Sequence, residues 1–448
     1  VLGHHAGSSL EPFTMLSRAL RTSASVQVQA QFYGQRHPTR TFLCEEFGHC
    51  QPHPQLRAWL GRYENKFLEE LHWMTARWPS AVEELRAVVA GDAFLREAEL
   101  VVCGGPFWLC AMLRSWPLAP MLVYLAWPVA AWVPGPARPG LLARLRELCL
   151  QAAPPVVVLA ANAAVAAQVA VQARLRLAVL RPHGLYANAS RVPLRSGAGR
   201  DRVLVTRLRH WAGDSGVALV EVSLRLLEDE DAARRREGRR PYPFEFEFLG
   251  LKRLGVDTQR ALTYQEFGGY FACVFWPWDV MMLLFDELYS MTVPLLVPEP
   301  RWMHTIMHHA LTQTNANWWH LRDTSAAAPP LGAAAAGWPL PHLPWVRPNG
   351  TVAECAYWYS LTDFVQFPHV SAFSSLPHLI VLLPSMDAAS VRAGMSRFNA
   401  ATLRDSLVFY RWAAARLLGV PLGAAPAAHT GDGPAEVAAG LADGRRMT

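Results

Sequence analysis

The residues whose types and spacing most clearly point to chemistry are Asp279 and Glu287. Ala272 to Phe275 reads as an apolar strand that ends at the corner Trp276-Pro277-Trp278-Asp279. A helix carrying Asp286 and Glu287 follows, and Val293 to Val297 reads as a second apolar strand. This is a βαβ element with carboxylates at two useful places. In open α/β sheets ligands bind beyond the carboxyl ends of the strands, which is where Asp279 falls. A helix running from the corner would put two turns between the acids, so that both face one ligand.

Other residues take their meaning from strand ends. Gly104-Gly105 closes the strand Leu100 to Cys103, where a backbone without side chains lets an acceptor or a phosphate approach. Arg181-Pro182-His183-Gly184 ends another strand, as acceptor ligands or as a structural hinge-side segment. His4 and His5 lie in the loop after a first strand, and Asp363 and His369 offer a second source of polar groups. His304, His308 and His309 carry a helical spacing but lack a third ligand, and Asp229-Glu230-Asp231 reads as a solvated, highly charged helix end. A metal-dependent reading would need Asp229 and Asp231 beside a cation. The sequence contains no P-loop, no Gly-x-Gly-x-x-Gly and no Gly-x-Ser-x-Gly.

Positioning these residues requires strands alternating with helices. Expected strands are Ser25 to Tyr33, Leu100 to Cys103, Met121 to Trp127, Pro155 to Leu159 and Leu177 to Leu180, with helices Leu10 to Leu20, Gln55 to Trp78, Pro79 to Val89, Leu141 to Leu150 and Asn162 to Arg174 between them. Continuous apolar strands alternating with helices indicate parallel sheets covered on both faces. After the flexible joint Ser196 to Arg200 the rhythm restarts at Arg202 to Thr206 and Pro243 to Leu249. The expectation is α/β, with two doubly wound Rossmann-like domains facing across a cleft. Residues 1–195 form the first domain and 200–421 the second. The latter holds an Ala/Pro-rich insertion at 326–341 and a late helical stretch, Ala388 to Leu418, whose end, Arg404 to Leu418, is the terminal helix that crosses back; 422–448 are expected to be a disordered tail.

The segment from Asp279 to Pro294 resembles the donor-binding element of GT-B glycosyltransferases, many of which carry Glu-x7-Glu and then a small-x-Pro step into a strand. Asp279 takes the place of the first Glu, Glu287 is the second, and Pro294 falls where the pattern asks. The resemblance implies that residues 1–195 are the acceptor-side domain and 200–421 the nucleotide-sugar-binding domain, in which Asp279 contacts the transferred sugar and Glu287 holds the ribose hydroxyls. Val280-Met281-Met282 replaces a Gly-rich turn of the family, and Thr292 stands where Gly is common. Thr206-Arg207-Leu208 resembles the family's Gly-Arg-Leu step, which makes Arg207 the phosphate-binding Arg and Arg209 its helper. The family's companion Lys is absent, position 212 being Ala, and Lys252 or Arg253 would substitute. An inverting transfer needs a general base, and His4 and His5 are its candidates. Trp276, Trp278, Trp318 and Trp319 suit carbohydrate stacking or the core. The implied partners are a nucleotide sugar and a carbohydrate, lipid or protein acceptor, with no cofactor or metal expected. The alternative is a catalytically inactive two-domain α/β protein that binds or scaffolds.

Composition narrows the remaining classes. A chain of 448 residues with 52% hydrophobic content buries large cores and is not an intrinsically disordered protein. Lys66 and Lys252 are its only lysines, so the net charge of +6 comes from scattered arginines and does not mark a nucleic-acid surface. Cys44, Cys50, Cys103, Cys110, Cys149, Cys273 and Cys355 show no CxxC spacing and are expected to be buried free thiols. The sequons at Asn188 and Asn349 permit a luminal location, so cytoplasmic and Golgi or endoplasmic-reticulum sites both stay open. A start at Val1 without Met reads as a fragment or processed form, whose targeting region lies outside this chain. The uncharged runs Pro117 to Pro136 and Ala152 to Ala173 carry prolines and amides that suit buried strands and helices better than membrane spans, with membrane association left open.

Overall fold

The computed structural model describes residues 1–3, 6–23, 78–104, 107–114, 119–127, 138–150, 154–188, 201–206, 244–249, 262–277, 281–300 and 359–419, with isolated positions between 28 and 59, at 129, and between 220 and 238. The described residues fall into two compact units, one holding 1–186 and 401–419, the other 187–300 and 359–400. Each unit is built on a parallel sheet, the first of four strands and the second of five.

The first unit runs α1 (Ala6–Ser23), α2 (Trp78–Ala90), α3 (Ala93–Glu97), β1 (Val101–Cys103), α4 (Phe107–Leu113), β2 (Met121–Leu125), α5 (Arg138–Leu150), β3 (Val156–Ala160), α6 (Ala163–Ala173) and β4 (Ala178–Val179), and α7 (Leu185–Asn188) follows at the division. The strands pair in the order β1-β2-β3-β4. Leu2 extends the sheet beyond β1, with parallel bridges to Cys103 on one side and Tyr33 on the other. Of the strand expected over Ser25 to Tyr33, Tyr33 is paired, and residues 28–30 are not in a strand. Every residue of β1, β2 and β3 is buried, as strands covered on both faces must be. The described parts of the long uncharged runs hold β2 in the first and β3 and α6 in the second, and among the described residues no helix is long and apolar enough to cross a membrane. Helix α6 starts where the sequence places it because the Asn162 carboxamide accepts from the Val165 N–H at 2.9 Å. It ends at Arg174 in the left-handed region, φ 53°.

The second unit contains β5 (Asp201–Thr206), β6 (Phe244–Leu249), α8 (Tyr264–Gly268), β7 (Ala272–Phe275), α9 (Leu283–Ser290), β8 (Leu295–Pro298), α10 (Asp363–Gln366), β9 (Ser371–Phe373), α11 (Leu376–Ser385) and the start of α12 (Ala388–Leu418), which belongs to this unit up to residue 400 and to the first from 401. All pairings are parallel, in the order β6-β5-β7-β8-β9. The central strands β7 and β8 are wholly buried. The edge strand β6 alternates Phe and Glu, and its Glu247 pairs with Arg202 of β5. Charge on an edge strand discourages pairing with another chain. The other edge, β9, is only Ser371-Ala372-Phe373, too short and too little apolar to announce itself in the sequence.

Helix α9 ends in a Schellman motif. The Val293 N–H donates to the Leu288 carbonyl at 3.1 Å and the Thr292 N–H to the Tyr289 carbonyl at 3.0 Å. Thr292 holds the left-handed position with φ 60°, and Pro294 follows, where a helix cannot resume. A β-branched residue is strained in that region, which gives the physical reason for glycine at the equivalent step of the pattern. Thr292→Gly should therefore raise stability by about 1 kcal/mol, read as a higher denaturant midpoint at an unchanged slope. A destabilised variant would show that the threonine's side-chain packing outweighs the backbone strain.

Two of the cysteines expected to be free are joined. Cys103, at the end of β1, and Cys110, in α4, form a disulfide with their Cα atoms 5.9 Å apart, and both are fully buried. The helix that follows the glycine turn brings residue 110 back against the end of β1, a proximity that the seven-residue separation does not advertise. Cys149 and Cys273 are free thiols. Burial pushes Cys149 up to about 11 and Cys273 up to about 12, the latter against a hydrogen bond with the Thr206 hydroxyl, so both stay protonated and unreactive.

Candidate functional site

In the second unit the chain order reverses between β5 and β7, and it is at such reversals that open α/β sheets take ligands. Thr206, the last residue of β5, is in register with Phe275, the last of β7, and the Trp276 N–H donates to the Thr206 carbonyl at 3.3 Å. The two chain segments carrying the donor-side candidates therefore leave the sheet side by side. Arg207 directly follows Thr206 in the sequence, and Trp278-Asp279 follow Trp276 and Pro277. Arg207, Arg209, Lys252, Arg253, Trp278 and Asp279 themselves lie outside the described residues, as do Trp318 and Trp319.

Glu287 is described and lies in the second turn of α9, whose eight residues are all buried. It is 1% exposed, and its carboxylate accepts a hydrogen bond from the Tyr264 hydroxyl at 3.2 Å. Tyr264 opens α8, which is fixed by a capping box between Thr263 and Glu266. Asp286, next to Glu287, is buried as well. Two adjacent buried acids are unusual, because removing a carboxylate from water is costly unless it gains compensating contacts.

One expectation is corrected here. Asp279 and Glu287 are not separated by two turns of helix, since α9 begins only at Leu283 and its N-cap, Met282, has extended backbone. Met281 and Met282 supply no side-chain cap, so the helix starts later than the acidic corner.

Asp363 begins α10 and is 5% exposed, whereas His369 is exposed on the turn that follows, with φ 63°. The His369 ring rests against Gly394 of α12, where an added Cβ would come within 2.4 Å of it. Asp229 and Glu230 are exposed, and Glu230 pairs with Arg234 at 2.9 Å, the solvated helix face expected of this segment. Asp231 and the histidines at 304, 308 and 309 lie outside the described residues. Among the described residues no group of His, Cys, Asp and Glu is arranged to hold a metal ion.

In the first unit the reversal lies between the Leu2 segment and β1, tied by hydrogen bonds from the Leu2 N–H to the Val102 carbonyl and from the Gly104 N–H to the Leu2 carbonyl, both at 2.8 Å. His4 and His5, which follow this segment, and Gly105 lie outside the described residues. Gly104 is described, and the backbone that approaches it is that of α1. A Cβ there would stand 2.3 Å from the Ser8 carbonyl oxygen and 2.7 Å from the Ser9 Cα. Pro12 lies four residues beyond Ser8 in α1 and has no N–H to give that carbonyl. The bend a proline imposes on a helix and the missing side chain at Gly104 meet at the same atom.

Arg181 and His183 follow β4. His183 is 3% exposed, and its Nε2 lies 2.8 Å from the Ser406 hydroxyl of α12. Its Nδ1 faces the Arg181 guanidinium at 3.5 Å. A guanidinium can only donate, so Nδ1 is the acceptor and Nε2–H donates to Ser406. Burial first, then the charges of Arg181 and Arg18, hold the ring well below its ordinary value of 6.5, which keeps it neutral. The His183 and Gly184 N–H groups donate to the two carboxylate oxygens of Glu11 at 2.7 and 2.9 Å. His183 thus fits the structural role that its sequence position left open, clasping α1, the segment after β4 and α12 within this unit.

Glu11 is the residue that sequence reasoning missed. It is fully buried, and together with burial it pushes the Tyr410 phenol of α12 well above its ordinary range. The available signal was that it is the only acid in α1, in a stretch otherwise made of small, apolar and hydroxyl-bearing residues with arginines toward its end. No protein-family model matches this chain, and no curated protein matches it.

Proposed function

We propose that the chain is a glycosyltransferase of the GT-B kind, moving a sugar from a nucleotide donor to a carbohydrate, lipid or protein acceptor without a bound metal. The observation that carries the reading is the strand order of the second sheet. Its reversal falls between β5 and β7, the strands whose carboxyl ends lead into Arg207 and into Trp278-Asp279. The Schellman turn at Thr292 and Pro294, which matches the small-x-Pro step, supports it further. In this reading Asp279 contacts the sugar, Glu287 holds the ribose, and Arg207 with Arg209 and Lys252 neutralises the diphosphate as the leaving group gains charge. His4 or His5 takes the acceptor hydroxyl's proton, and Gly105 and Arg181 contribute to the acceptor side.

One observation favours a second reading, an α/β protein that binds or scaffolds without transfer. The Glu287 carboxylate is already enclosed and engaged by Tyr264. Calorimetric titration of UDP, GDP, ADP and their sugars, with and without Mg²⁺, separates the two. The transferase reading expects saturable binding of one nucleotide without a metal requirement, and binding about tenfold weaker in Glu287→Gln as a charge-assisted hydrogen bond is lost. Absence of binding by every nucleotide in the folded wild type would leave the scaffold reading.

A further inference from the structure

Tyr359 lies in the second unit, 1% exposed, and its hydroxyl has no hydrogen-bond partner among the described residues. Its backbone is well held: the Thr362 N–H and hydroxyl both donate to the Tyr359 carbonyl, at 3.0 and 2.7 Å. Its ring stacks on Phe364 with centroids 6.2 Å apart. Phe364 in turn packs 6.1 Å from Phe275 and 4.9 Å, edge to face, from Phe285. Phe275 is the last residue of β7 and Phe285 lies in the first turn of α9. The tyrosine therefore belongs to an aromatic group gathered at the carboxyl end of β7, beside the reversal between β5 and β7.

A phenylalanine would pack against Phe364 as well and would spare the protein a buried, unsatisfied hydroxyl, which costs stability. Buried polar groups are nearly always bonded, and one without a protein partner calls for a ligand or an ordered water. Burial also pushes the Tyr359 phenol up, so it stays protonated and available as a donor. We propose that the Tyr359 hydroxyl is a ligand contact that donates a hydrogen bond to an oxygen of the bound nucleoside diphosphate. This rests on the transferase reading above and adds a residue to its donor site from a part of the chain remote in sequence from Asp279 and Glu287.

The test compares Tyr359→Phe with the wild type in two measurements: titration with UDP, GDP and ADP, and thermal unfolding without nucleotide. The expected result is affinity about tenfold weaker for the nucleotide that the wild type binds, the size of effect for losing a donor to a charged oxygen. The ligand-free unfolding midpoint should be unchanged or higher. Equal affinity in the variant overturns the contact while leaving the transferase reading intact. A midpoint several degrees lower also overturns it, because the hydroxyl would then have a partner in the free protein. Absence of binding in the wild type overturns the transferase reading and the contact together.

Discussion

Gly104→Ala should cost the protein about 3 kcal/mol, the upper range for overpacking an ordered interior. The added methyl would stand 2.3 Å from the Ser8 carbonyl oxygen and 2.6 Å from its carbon. These are backbone atoms of α1, so no rotamer change relieves the clash. Either α1 or the end of β1 must move, and the latter is tied to Leu2 and to the Cys103–Cys110 disulfide. Gly140 in α5 is the natural control, because a Cβ there meets nothing within 4 Å. Gly140→Ala should be neutral or stabilising by up to about 1 kcal/mol, since alanine is the better helix former. Denaturant midpoints of the two variants, measured side by side, decide the matter. Equal midpoints would show that α1 shifts freely against the sheet.

Glu11→Ala should destabilise by about 3 kcal/mol, because it strips the carboxylate from two buried N–H groups and leaves both donors unpaired. The His183 and Gly184 amides, now held at 2.7 and 2.9 Å, should exchange with solvent far faster in the variant. Glu11→Gln keeps one acceptor oxygen and should lose less, with one of the two amides remaining protected. Stability within about 0.5 kcal/mol of the wild type would mean that the segment after β4 is held by the His183–Ser406 contact without Glu11. The comparison also separates structure from chemistry, since a clasp of this kind changes folding stability and exchange, whereas Glu287, under the proposed function, is expected to change nucleotide affinity.

Much of the fold was legible because it depends on local rules. Val156 to Ala160 and Ala272 to Phe275 are apolar runs bounded by turn residues, and such runs become strands buried on both faces. Asn162 is both the expected and the observed start of α6, because a side-chain cap is a contact between neighbours in sequence. Helix α12 was read over its observed length, Ala388–Leu418, from an uninterrupted helical pattern. The start of α9 was misjudged for a related reason. Met281 and Met282 are good helix formers, yet Met282 holds an extended backbone and the helix begins only after it.

By itself, then, the amino-acid sequence determined the alternation of strands and helices and the parallel sheets that this alternation requires, since each follows from spacing within a few residues. Tertiary structure alone decided which strands are neighbours, and with that the reversal between β5 and β7 that brings the ends at Thr206 and Phe275 side by side. It also decided that Glu11 meets residues 172 and 173 positions away, that Gly104 faces α1, and that Cys103 joins Cys110. These are contacts made through space after the core has closed, and a buried carboxylate or a missing Cβ acquires its role only from the partner that packing delivers to it.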